Sequence, residues 1–174
     1  MKNLFLLILI FVLSNSLQAQ EWVQISDSKI VLDNGSIRRE ISLRSDSIIG
    51  TAINLNGSEG SFIGKSHEFS FMANDQLVTG YSGWEVKGVE KIAGENSGSG
   101  TSIKLASKTV EGLEIDLNYL MYPKLPLVRK WINIKNTGNK DFKIANLNVE
   151  DLQGNMDFVH SVVLHKYARM KHLG

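Results

Sequence analysis

The stretch "KIVLDNGSIRREISL" at residues 29–43 constrains the fold more than any other feature of the chain. Apolar residues fall at every second position, Ile30 and Leu32 before Asn34-Gly35 and Ile37, Ile41 and Leu43 after it. Alternation sends successive side chains to opposite faces of a strand. Asn-Gly tolerates the positive φ that both centres of a type I′ turn require, so the pattern predicts a hairpin. The same grammar recurs. "SIIGTAINLNG" places Ile49, Thr51, Ile53 and Leu55 on one expected face. "HEFSFMANDQLV" carries Phe69 and Phe71 into a turn at Asn74-Asp75. "WEVKGVEKI" reads as a strand interrupted at Gly88 by a bulge, and "GENSGSGTS" at 94–102 as a flexible loop. "SIKLASKTVEGLEIDLNYLMY" is a further hairpin around Glu111-Gly112. Pro123 and Pro126 then mark a connection, since proline cannot donate to a ladder.

"KLPLVRKWINIKNTGNKDFKIANLNV" at 124–149 alternates, turns on Thr137-Gly138-Asn139 and alternates again, which predicts one more hairpin. No stretch before residue 150 shows a helical period. Roughly eight to ten short strands with tight turns and no helices make an all-β, antiparallel β-sandwich. A barrel fits less well, because several strands show one apolar and one polar face.

The N-terminus has a different character. Lys2 precedes an apolar run from Leu4 to Leu13, too short to span a bilayer, and "SNSLQAQ" follows. Residues 1–19 read as a signal peptide cleaved after Ala19, with Ser16 the rival, so the protein is expected to be exported, periplasmic or secreted, with no membrane contact afterwards. The chain has no cysteine, which removes disulfides, thiolate metal sites and a lipid anchor at the cleavage site. Of its 19 basic and 18 acidic residues, only Lys2 lies in the first twenty. The mature chain is therefore balanced in charge, which argues against nucleic acid and anionic membranes as partners.

Catalytic patterns are sparse. There is no His-Glu-x-x-His and no Gly-x-Ser-x-Gly. His160 and His165 are five apart, on opposite faces of a strand, and His172 lies near the end, so no metal site and no cofactor are expected. Glycoside chemistry needs two carboxylates facing across a bond. Glu114 and Asp116 share the polar face of one strand, Glu150 and Asp151 point apart, and Asp157 is isolated; each reads as a solvated side chain. The aromatics invite more. Trp131 lies on the polar phase of "LVRKWINIK" with Arg129, Asn133 and Lys135, where packing on another domain or subunit is weighed against cover by loops and stacking on a sugar. Tyr81 and Trp84 in "TGYSGWEV" form a second patch, with a rim or core role weighed against contact with sugar.

"YPKLPLVRKWINIKNTGNKDFKIANLNVEDL" resembles two neighbouring strands in the N-terminal domain of bacterial α-galactosidase-like glycoside hydrolases, the melibiase group of family 36. "LDNGSIRREISL" and "HEFSFMANDQLVTGYSGWEV" are similar to parts of that domain, and the closing "YARMKHLG" resembles the segment leaving it. The resemblance spans residues 28–174. It implies a supersandwich of the galactose-mutarotase-like type over 20–160, with 161–174 as last strand and connection to a (β/α)8 barrel. The catalytic aspartates of that family lie on the barrel, so no residue here inherits a catalytic role. The implied partners are that barrel, a galactoside or oligosaccharide, and a second subunit. Tyr81 and Trp84 become the expected substrate-binding residues, and Trp131 and Arg129 the packing residues. A free-standing carbohydrate-binding module is the alternative; a sugar epimerase of the mutarotase fold fails on the layout of the histidines.

Overall fold

The computed structural model describes residues 22–154. The expected signal peptide, the tail from 161, and Asp157, His160, His165 and His172 lie outside the described residues. In chain order the strands are β1 (Val23–Ile25), β2 (Lys29–Asp33), β3 (Ile37–Leu43), β4 (Ile48–Leu55), β5 (Ser66–His67), β6 (Ser70–Ala73), β7 (Gln76–Thr79), β8 (Trp84–Ala93), β9 (Ser99–Ser107), β10 (Leu113–Met121), β11 (Val128–Asn136) and β12 (Ile144–Asn148). No helix occurs among the described residues.

Three sheets result, with orders β1-β2-β3-β4-β5, β11-β10-β9-β8 and β12-β6-β7. Every pairing is antiparallel. The sheets pack as a β-sandwich, as the alternation predicts. The core joins Ile30 and Leu32 of β2, Ile37 and Ile41 of β3, Phe69 and Phe71, and the inward row Leu113, Ile115, Leu117, Tyr119 and Met121 of β10. Each large apolar side chain so buried contributes about 1.5–3 kcal/mol.

Local details separate what turn chemistry controls from what it does not. Asn74 and Asp75 both take positive φ, 47° and 64°, at the expected turn between β6 and β7. The expected bulge in β8 is present between Val86 and Gly88. The first hairpin is displaced by one residue. Asp33 pairs with Arg38, so the turn centres on Gly35-Ser36, and Gly35 alone has positive φ, at 80°. The Asn34 side chain explains the shift. Its Oδ1 accepts from the Ser36 and Ile37 N–H groups at 2.9 and 3.0 Å. Its Nδ2 donates to the Tyr122 and Leu125 carbonyls at 2.7 and 2.8 Å. Asn34 is therefore a clip on the 122–127 connection rather than a turn centre.

Three expectations are corrected. In β4, Ile48 and Gly50 are buried while Ile49 and Thr51 are only partly so. Glu40 pairs with Ala52 and Ile41 with Gly50, so Thr51 is an extra residue that reverses the phase of the strand. Residues 94–102 are not a flexible loop. β9 begins at Ser99, and the remaining turn is tight, with Asn96 and Ser97 at φ 54° and 58° and a Gly94 N–H to Gly98 carbonyl bond of 2.9 Å. Finally, β11 and β12 are not a hairpin. β12 pairs with β6, in a different sheet from β11. Alternation gives each strand its faces but does not name its neighbour.

Candidate functional site

Four charged residues and a tyrosine converge inside the sandwich. Arg39 occupies the inward phase of β3 between Ile37 and Ile41 and is 2% exposed. Tyr119 holds the equivalent place on β10, and Lys130 sits between Val128 and Ile132 on the inward phase of β11. Glu68, wholly buried, lies between β5 and β6. Glu150 follows β12 and keeps a third of its side chain in solvent.

Arg39 Nη2 donates to Glu68 Oε2 at 2.7 Å and to Glu150 Oε1 at 2.7 Å, while its Nη1 reaches Glu150 Oε2 at 2.9 Å. Lys130 Nζ donates to Glu68 Oε2 at 2.8 Å and Glu150 Oε1 at 3.0 Å, and also to the Glu68 carbonyl. The Tyr119 hydroxyl donates to Glu68 Oε2. Arg39 and Lys130 both lie over the Tyr119 ring, at 5.0 and 5.3 Å from its centroid. Two cations face two anions, so the cluster is neutral.

Burial works to raise the Glu68 pKa, but Arg39, Lys130 and the Tyr119 hydroxyl outweigh it and hold the carboxyl below its usual range. Burial likewise works to lower that of Arg39, and the Glu68 and Glu150 carboxylates more than offset it. Burial and the Glu68 charge push the Tyr119 phenol well above its ordinary value, so it stays a hydrogen-bond donor. Glu68 Oε1 and Arg39 Nε have no hydrogen-bond partner among the described residues. Gly50 makes room for that oxygen: a methyl group at position 50 would overlap Glu68 Oε1.

This arrangement is a lock rather than a reaction centre. Glu68 and Tyr119 are wholly enclosed, so no substrate reaches them. The cluster instead ties all three sheets to the segment after β12. That segment continues as a strap along residues 63–67, through bridges His67↔Asp151 and Ile63↔Gly154 and a Gly64 N–H to Gln153 carbonyl bond of 2.9 Å. Glu150 is corrected from a solvated carboxylate to the closing member of the lock. The signal was present in the sequence: Arg39 and Lys130 are charges in the apolar phase of their strands, where only a buried partner makes a charge tolerable.

The expected site residues are dispersed by environment. Trp84 is 1% exposed, packs edge-on to Phe69 with centroids 5.4 Å apart, and donates its indole N–H to the Thr79 carbonyl at 2.8 Å. Among the described residues its ring is enclosed in the core. Tyr81 is 37% exposed, lies 3.9 Å from the His67 ring between centroids, and donates its hydroxyl to the Lys65 carbonyl at 3.1 Å. On β11 the Arg129 guanidinium stands 5.3 Å from the Trp131 ring centroid, on the phase opposite Lys130. Asp116 pairs with Lys135 at 2.6 Å. Among the described residues no group of three or more His, Asp and Glu is placed to hold a metal ion.

No family model, curated protein or solved structure matches this chain.

Proposed function

We propose that this chain is the exported N-terminal accessory domain of an α-galactosidase-like glycoside hydrolase, a galactose-mutarotase-like supersandwich that packs on and supports a (β/α)8 catalytic barrel. The domain itself hydrolyses nothing. One observation carries the reading. One of the runs that resemble the family, residues 122–152, is the part of the sandwich whose apolar side chains are least covered. Val128, Ile132, Ile134, Phe142 and Ile144 are only half-buried, and Leu125, Leu127, Leu147 and Leu152 are exposed. Half-covered apolar side chains on ordered strands suit a surface that another domain completes.

The test is to join this domain to the barrel encoded downstream and assay an aryl α-galactoside. The joined polypeptide is expected to cleave it, and a version lacking residues 20–154 to lose most activity. A gene that encodes no strand–helix repeat with an aspartate at a strand end, or a barrel indifferent to the deletion, overturns the reading. The alternative, a free-standing carbohydrate-binding module, draws on the exposed Tyr81 ring over His67. Saturable binding of galactosides by the isolated chain, lost in Tyr81→Ala, would favour it instead.

A further inference from the structure

The tripeptide Asn-Gly-Ser occurs twice, at 34–36 after β2 and at 56–58 after β4. The fold treats the two copies in opposite ways. Asn34 is 8% exposed, and both ends of its carboxamide are engaged. Nδ2 donates to the Tyr122 and Leu125 carbonyls, and Oδ1 accepts from the Ser36 and Ile37 N–H groups. The Gly35 N–H is occupied too, donating to Asp33 Oδ1 at 2.9 Å. Asn56 and Gly57 are both exposed. The Asn56 N–H donates to the Ser36 carbonyl at 3.0 Å. Among the described residues, however, neither the Asn56 carboxamide nor the Gly57 N–H has a hydrogen-bond partner. The space beside Gly57 is empty: a methyl group built there would meet no atom within 4 Å.

We propose that Asn56 is a site of spontaneous deamidation, and that the hydrogen bonds around Asn34 spare its twin. The inference is independent of the glycosidase reading. The reaction needs only the chain and water. The Gly57 amide nitrogen attacks Asn56 Cγ, its proton passes to the departing amide, and ammonia leaves as a succinimide closes. Water then opens one of the two ring carbonyls. Opening at the main-chain carbonyl leaves an isoaspartate, with the backbone running through the side chain; opening at the side-chain carbonyl leaves an aspartate. Nothing is oxidised or reduced. Glycine obstructs the attack least, since it has no Cβ to crowd the nitrogen and its backbone rotates freely. At Asn34 the same step must first break the Gly35–Asp33 bond to free the nucleophile. It must also break the bonds to the 122 and 125 carbonyls to free the leaving amide, and each costs several-fold in reactive population. The product puts a carboxylate at position 56, on a pocket of about 370 Å³ that Asp33, Arg38 and Asn54 also line. The isoaspartyl form in addition lengthens the backbone of a turn pinned to Ser36.

The two copies share the sequence Asn-Gly-Ser, so the full chain carries its own control. It is incubated in mildly alkaline buffer, folded or in guanidinium chloride, and mapped peptide by peptide by mass spectrometry. In the denaturant both asparagines are expected to convert at similar rates. In the folded protein Asn56 should convert to isoaspartate and aspartate with release of ammonia, and Asn34 at least about tenfold more slowly, because it must wait for local opening. The aged protein should accept methyl groups from an isoaspartyl methyltransferase, and Asn56→Gln should remove most of that acceptance. A folded Asn56 that stays intact while the unfolded chain converts overturns the proposal. So does equal conversion of Asn34 and Asn56 in the folded protein.

Discussion

β10 and β11 are paired residue for residue, from Leu113↔Asn136 to Met121↔Val128, yet they are held in place by different forces. On β10 the inward Leu113, Ile115, Leu117, Tyr119 and Met121 are at most 1% exposed. On β11 the inward Val128, Ile132 and Ile134 are half-covered, and no apolar residue from 122 to 154 is fully buried. The first strand is fixed by packing on both flanks. The second is fixed by its ladder to β10 and by Lys130 in the ion cluster. The C-terminal third of the sandwich thus depends on a handful of polar contacts where the rest depends on apolar area, and such a region opens more readily.

The comparison is broken most directly at Glu68. Glu68→Ala leaves the enclosed Arg39 and Lys130 with only the partly solvated Glu150 as counter-ion, and is expected to cost about 3–5 kcal/mol in urea unfolding. A loss below about 1 kcal/mol would mean that the cluster does not hold the sheets together. Leu117 and Ile132 face each other across the two strands and sharpen the contrast. Leu117→Ala is expected to cost about 3 kcal/mol and Ile132→Ala about 1 kcal/mol, because only the first removes a fully enclosed side chain. Equal costs would erase the distinction between the strands.

A titration separates the forces further. The native pKa of Glu68 is lowered, so its contribution is complete above the unfolded value of about 4.3. It is lost as pH falls from there through the lowered native value. Glu68→Gln should therefore flatten the fall in stability on acidification, whereas Leu117→Ala should leave its slope unchanged. The smallest effect belongs to Glu150, which is partly solvated. Glu150→Gln should cost about 1 kcal/mol or less, and hydrogen exchange should accelerate in residues 149–154 while β10 stays protected.

How much of this was legible in the sequence depends on the range of the interaction. The turn at Asn74-Asp75 and the bulge at Gly88 follow from local backbone preference, and both appear where read. The phase of β4 escaped, because the extra Thr51 is a β-branched residue that looks like any other strand residue; only pairing against β3 makes it surplus. The destination of β12 escaped for a related reason. Residues 137–143 are long enough to cross between sheets, and neither strand's alternation records which edge it meets. Trp84 and Tyr81 looked alike in sequence, but the ring packed edge-on to Phe69 belongs to the interior and the one beside His67 to the surface. The ion cluster was half-visible. Arg39 and Lys130 stand out as charges in apolar phase, but Glu68 and Glu150 lie just outside their strands, where no period marks them as inward.

The order in which the lock's members are made has its own consequence. Arg39 and Glu68 emerge early from the ribosome, and Lys130 and Glu150 come 62 to 111 residues later. Until then a growing chain that collapsed around Glu68 would enclose it with only Arg39 for company. Contacts so distant in sequence form slowly, and partly folded chains with open strand edges aggregate. The domain is therefore built to finish late: its first hairpins can settle during synthesis, but the sandwich closes only when residue 150 is free to reach back.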